Sequence, residues 1–170
     1  MQDRFVGWPG LWGVVGVVAV LANALWRLSP LAYRALTGDL DAWRWLVLVT
    51  WLVVAAYAEG YRGFHRQFSP RVIVRAYHLS AQPRPLHVAL APLYCMGLIH
   101  ATRRRLITSW SVTLGIVALV IAVGQLAQPW RGIVDAGVVL GLALGAMSIL
   151  YYLALAARGR KLPVAADVPS

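Results

Sequence analysis

Charge is absent from four long stretches of the chain, and these set its plan. Residues 5–26, 106–130 and 136–157 form uninterrupted uncharged runs of 22, 25 and 22 residues. Residues 45–58 form a run of 14, which reaches about 20 if Arg44 and Glu59 sit at its two ends with their polar groups turned outward. A hydrocarbon layer of about 30 Å needs about 20 helical residues, so each of the four predicts a transmembrane helix. The expected spans are 9–28, 42–60, 106–128 and 133–157. Trp8, Trp12, Trp26, Trp43, Trp45, Trp110 and Trp130 fall near their ends, as interfacial tryptophans do. Arg4, the apolar run and Ala22-Asn23-Ala24 imitate a signal peptide, but the run is long for one and reads as a retained first helix. Its end is expected at Leu28-Ser29-Pro30, where proline discourages continuation.

A fifth stretch, 85–102, reads differently. It contains His87, Pro92 and His100, and its apolar core of residues 88–99 spans roughly 18 Å as helix. That is short for a crossing and predicts a short re-entrant or interfacial helix near 86–101. The distribution of positive charge agrees. Four spans with both termini cytoplasmic place 12 basic residues inside (Arg4, Arg62, Arg66, Arg71, Arg75, Arg84, Arg103, Arg104, Arg105, Arg158, Arg160, Lys161) and 4 outside. Five spans split them 9 to 7 at best. The expected fold is all-α, a single polytopic membrane domain over 1–170.

Composition removes the alternatives. Hydrophobic residues make up 60%, charged residues 13%, and mean hydropathy is +0.66. A soluble monomer of 170 residues cannot bury that much apolar surface, and a disordered chain has the opposite bias. One cysteine excludes an internal disulfide and a zinc-type cysteine set. The net charge of +10 comes almost entirely from arginine. In a membrane chain such charge faces anionic headgroups rather than nucleic acid.

The basic cytoplasmic segment, residues 61–105, carries eight arginines, all four histidines and Cys95. Ser69-Pro70 reads as a helix start. On the helix that follows, near 70–79, Arg71, Arg75 and His78 form one stripe, while Val72, Ile73, Ala76 and Leu79 form an apolar face. Such a helix lies in the interface, its apolar face in the acyl boundary. Arg62 and Arg66 are a second i, i+4 pair. Arg62, Arg66, Arg71 and Arg75 are therefore the expected lipid-phosphate ligands, since paired guanidinium groups grip phosphate bidentately. The Arg103–Arg105 run points in three directions and reads as a topological stop.

The remaining chemistry is thin. His87 and His100 are 13 residues apart, which on a straight helix leaves them about 140° apart. They suit a haem only with ligands from a partner chain, and no cofactor is assigned. Cys95 reads as a small buried hydrophobe. Glu59 is expected to pair with Arg62, and Asp135 with Arg131. Asp39 and Asp41 form the one close pair of carboxylates, across the membrane from the basic segment. Gly137, Gly141, Gly145 and Ser148 form a small-residue seam, as do Ser111, Gly115, Ala118 and Ala122, and both are expected to pack within the chain. No ionisable group lies mid-span, which disfavours a pump, and phosphate-loop, HExxH and GxSxG patterns are absent. The function expected is a non-catalytic subunit, assembly factor or scaffold engaging anionic lipid, a protein partner or a second copy of itself. The alternatives are an enzyme acting on a phosphate-bearing lipid, with His65, His78 or Glu59 moving protons, and a haem- or quinone-associated subunit using His87 and His100.

Overall fold

A computed structural model describes residues 6–160, 162 and 164–168. It is all-α, with no strand among the described residues. The helices are α1 (Trp8–Thr37), α2 (Ala42–Ala81), α3 (Pro85–Ala89), α4 (Ala91–Met96), α5 (Arg103–Gly124) and α6 (Trp130–Ala157). Of these, α1, α2, α5 and α6 are long and apolar enough to cross a membrane.

Three of the four form a bundle. α1 runs antiparallel to α2 and α6, so that Ala35 near its end meets Gly132 and Gly10 near its start meets Ala76 and Ser80. Their shared core contains Val14, Val17 and Leu21 of α1, Val72, Ile73, Ala76 and Leu79 of α2, and Ile149, Tyr152 and Ala156 of α6. A second cluster (Ala32, Leu48, Ile133, Ala136) closes the other end. The seam of α6 is packed within the chain, by side chains rather than by a bare backbone. Trp51, Glu59 and Phe64 of α2 lie where Cβ atoms at Gly137, Gly141 and Gly145 would stand.

Three expectations about the helices are corrected. α1 does not stop at Pro30 but continues to Thr37. Pro30 removes one N–H, yet Ala32 and Ala35 beyond it are buried against α6, and that packing holds the last turns. The second span likewise continues through Ser69-Pro70. Phe68 and Ser69 are both right-handed helical, and the buried Ser69 hydroxyl caps nothing. Residues Ala56–Phe68 instead adopt the wider i→i+5 ladder, with the Ser69 N–H bonded to Phe64 O. Proline at 70 offers no N–H to Arg66 and crowds its carbonyl, and the wider turn upstream accommodates both. The third correction concerns the 70–79 helix. Its apolar face is not turned to an acyl boundary: Val72, Ile73, Ala76 and Leu79 are buried among α1, α4 and α6.

Residues 85–102 fold back on themselves. α3 and α4 are two short turns, and Gly97 ends α4 at φ 77°, a left-handed conformation that only glycine adopts without strain. Ala91 and Cys95 seat against Gly13 of α1. α5 stands apart from the bundle. Ser109 and Val123 near its ends are its buried residues, and a Cβ at Gly115 would meet nothing. Its seam of Ser111, Gly115, Ala118 and Ala122 therefore does not pack within the described chain, contrary to expectation. α5 is anchored at its start, where Trp110 Nε1 donates to Leu98 O at 3.1 Å and Ser109 Oγ to Met96 O at 3.4 Å.

Candidate functional site

The four arginines expected at a phosphate occupy three environments. Arg62 and Arg66 are exposed and line an open cleft of about 290 Å3 with Gln67. The i→i+5 ladder aligns residues four apart, which stacks Tyr57 on Tyr61 (6.1 Å) and Tyr61 on His65 (5.8 Å) beside them. The Arg66 guanidinium lies 5.9 Å from the Tyr61 ring. No carboxylate forms an ion pair with either arginine among the described residues.

The same wide turn fans residues three apart, and this overturns the expected Glu59–Arg62 pair. Glu59 has no ion pair or hydrogen bond in the described structure and lies against Gly141. His65 is not its partner: His65 Nδ1 hydrogen-bonds with Ser148 Oγ at 3.0 Å, about two turns further along α6. Glu59 and His65 thus do not form an acid/base pair.

Arg71 is half-buried. Its Nε is 3.4 Å from Asp167 Oδ2 and its Nη1 donates to Gln67 O at 3.2 Å. Arg75 is 1% exposed and is not presented to a headgroup at all. Its Nε donates to Tyr94 O (2.6 Å), its Nη1 to Ala166 O (2.8 Å), and its Nη2 to Ile99 O (2.9 Å) and His100 O (3.1 Å). The Tyr94 ring packs 4.4 Å from its Cζ. The expectation for Arg75 is thus corrected. The polar stripe it shares with Arg71 exists, but the 94–100 turn and the 164–168 segment fold over it.

Around Arg75 the structure gathers three histidines that a straight helix would have kept apart. The turn at Gly97 returns His100, itself at φ 46°, onto His87 with ring centroids 4.4 Å apart. Tyr94 packs against both rings, and its hydroxyl hydrogen-bonds with His78 Nδ1 at 2.8 Å. The 140° separation is overturned because the segment is not one helix. Burial lowers the pKa of His87 below the ordinary histidine value, and His100, Arg84, Arg75 and His78 lower it further. Burial raises the Tyr94 phenol despite the opposing pull of Arg75. The Cys95 thiol is pushed up to about 12 by burial, so it stays protonated. His87 and His100 therefore do not sit along one helix, as their reading as ligands of two stacked haems requires. No group of three or more His, Cys, Asp or Glu among the described residues is placed to hold a metal ion.

Asp39, Asp41 and Asp135 sit at the far end of the bundle. Asp41 caps α2 by accepting from the Arg44 N–H at 3.0 Å, and Asp39 shares a cleft with Arg34, Arg44 and Gln128. Asp135 lies 3.8 Å from Arg131, as expected. Sequence reasoning missed Tyr94, Gln67 and Asp167. The signal for Asp167 was there: it is the only acid after Asp135. No known protein family, curated protein or solved structure matches this chain, so the functional reading rests on the site itself.

Proposed function

We propose that this protein is a non-catalytic membrane subunit or scaffold that holds a phosphate-bearing anionic lipid at Arg62 and Arg66. The observation that carries this reading is the pair of exposed, unpaired guanidinium groups lining one cleft with Gln67, flanked by the Tyr57–Tyr61 stack. Two planar forks on one helical face suit phosphate oxygens, and the aromatic rings suit the interfacial depth at which headgroups lie. In this reading α1, α2, α5 and α6 cross the bilayer, both termini are cytoplasmic, and the 61–105 segment faces the cytoplasmic leaflet, where anionic lipid is concentrated.

Each arginine near an anionic surface contributes roughly 1 kcal/mol, so losing two weakens binding about tenfold or more. The test is retention of phosphatidylglycerol by the purified protein, read by native mass spectrometry. Arg62→Gln/Arg66→Gln is expected to lose it, and Arg103→Gln/Arg104→Gln to keep most of it. Equal loss in both variants would reduce the segment to diffuse electrostatics.

A further inference from the structure

Arg71 offers the same chemistry as Arg62 and Arg66, but a carboxylate already stands against it. The segment 164–168 crosses the polar face of α2 and is pinned there through its backbone. Ala166 O accepts from Arg75 Nη1 at 2.8 Å, and Asp167 O accepts from the Thr102 N–H at 2.9 Å. Between these anchors Asp167 takes φ 50°, a left-handed conformation unusual for a residue with a side chain. The Asp167 carboxylate reaches Arg71 Nε at 3.4 Å. Arg105, at the start of α5, lies within electrostatic reach of Arg71, Arg75 and Asp167, and its buried Nε has no hydrogen-bond partner. Arg71 thus pairs with the carboxylate, and Arg75 and Arg105 lie within its electrostatic reach. Arg75 is held by carbonyls, while Arg71 and Arg105 retain donors for another oxygen anion.

We infer that Arg71 and Arg105 form a second phosphate site, which Asp167 occupies as a built-in competitor. The inference rests on the anionic-lipid reading of Arg62 and Arg66 for its choice of ligand, but on different residues. A phosphate presents the same paired anionic oxygens to a guanidinium fork as a carboxylate does, so where phosphate is dense it displaces the Asp167 side chain while the backbone anchors at Ala166 and Thr102 hold. Asp167 thereby sets a threshold: the site fills where phosphate is dense, as at an anionic leaflet, and stays closed elsewhere. The shared chemistry is a phosphate group, borne by a lipid headgroup or free in solution.

The test uses the full chain in phosphatidylcholine nanodiscs. Two probes are added separately, phosphatidylglycerol read by native mass spectrometry and inorganic phosphate read by calorimetry. Asp167→Asn keeps the shape and both backbone anchors but removes the competing charge, so it is expected to bind about three- to tenfold tighter. Asp167→Glu restores the charge and is expected to return binding to the wild-type level. Arg71→Gln added to Asp167→Asn is expected to erase the gain. A gain with phosphatidylglycerol alone assigns the site to a lipid headgroup, and a gain with both probes assigns it to phosphate as such. No gain with either probe, or a gain that survives Arg71→Gln, overturns the inference. Arg62→Gln/Arg66→Gln separates the two sites. If it leaves basal lipid retention unchanged, the reading of Arg62 and Arg66 fails, while a gain in Asp167→Asn still stands on Arg71.

Discussion

Replacing Arg75 with leucine removes the one side chain that ties α2, the 94–100 turn and the 164–168 segment together. Four carbonyls receive its guanidinium, at 2.6 to 3.1 Å. Tyr94 O keeps a second donor, the Gly97 N–H at 3.0 Å, so three acceptors (Ile99, His100 and Ala166) lose the bond that held them. A buried acceptor left without a partner costs about 1–3 kcal/mol, and those nearest the surface recover water. The net loss is about 3 kcal/mol, which lies near the low end for removing one partner of a buried charged group. That corresponds to roughly a hundredfold in an opening equilibrium. The loss is local, because α1, the apolar face of α2 and α6 keep their packing. Hydrogen exchange is the assay: the Thr102 amide, bonded to Asp167 O, is expected to exchange about a hundredfold faster in Arg75→Leu. Amides in the middle of α6 serve as the unchanged control. Arg75→Lys is expected to lose most of the protection too, since a single ammonium cannot span four carbonyls from two segments. Less than a threefold change at Thr102 in Arg75→Leu would refute the view that Arg75 is the tie.

Other expectations follow from the same geometry. The depressed His87 pKa means the folded state favours neutral imidazole, so its stabilisation is complete above the unfolded value of about 6.5 and is lost as pH falls below it. Proteolysis within 85–102 should therefore quicken on acidification, and His87→Gln should flatten that dependence; a flat profile in the wild type would count against it. Gly141→Val should destabilise the bundle by about 1–3 kcal/mol in thermal unfolding, because its Cβ would fall 2.7 Å from a Glu59 oxygen. Gly115→Val on α5, where a Cβ meets nothing, should change it by less than about 0.5 kcal/mol, and comparable losses in the two would mean that α5 is packed in solution. Reporter fusions after residues 82 and 165 should both report the cytoplasmic side, and a far-side signal at 82 would invert the topology.

The chain alone determined the number and place of its long helices, because a run of about 20 uncharged residues has few other stable uses. It also marked 85–102 as too short and too interrupted to be a fifth crossing. The Arg131–Asp135 pair was legible because it is local and depends on spacing along one helix. What the tertiary structure decided is every contact that joins segments far apart in the chain. The polar stripe of Arg71 and Arg75 is visible in the sequence, but its exposure depends on residues 94–100 and 164–168, some 20 to 90 positions away, which cover Arg75 and leave Arg71 to Asp167. Helical periodicity separated His87 from His100, and one left-handed turn at Gly97 brought their rings together. The Glu59–Arg62 pair failed because the ladder widened ahead of Pro70, a change of pitch that a fixed 3.6-residue period cannot register. Small residues alone did not show which seam would be filled. α6 met large side chains from α2, whereas α5, just as apolar and just as smooth, met none, because partner choice depends on where the connecting turns put each helix.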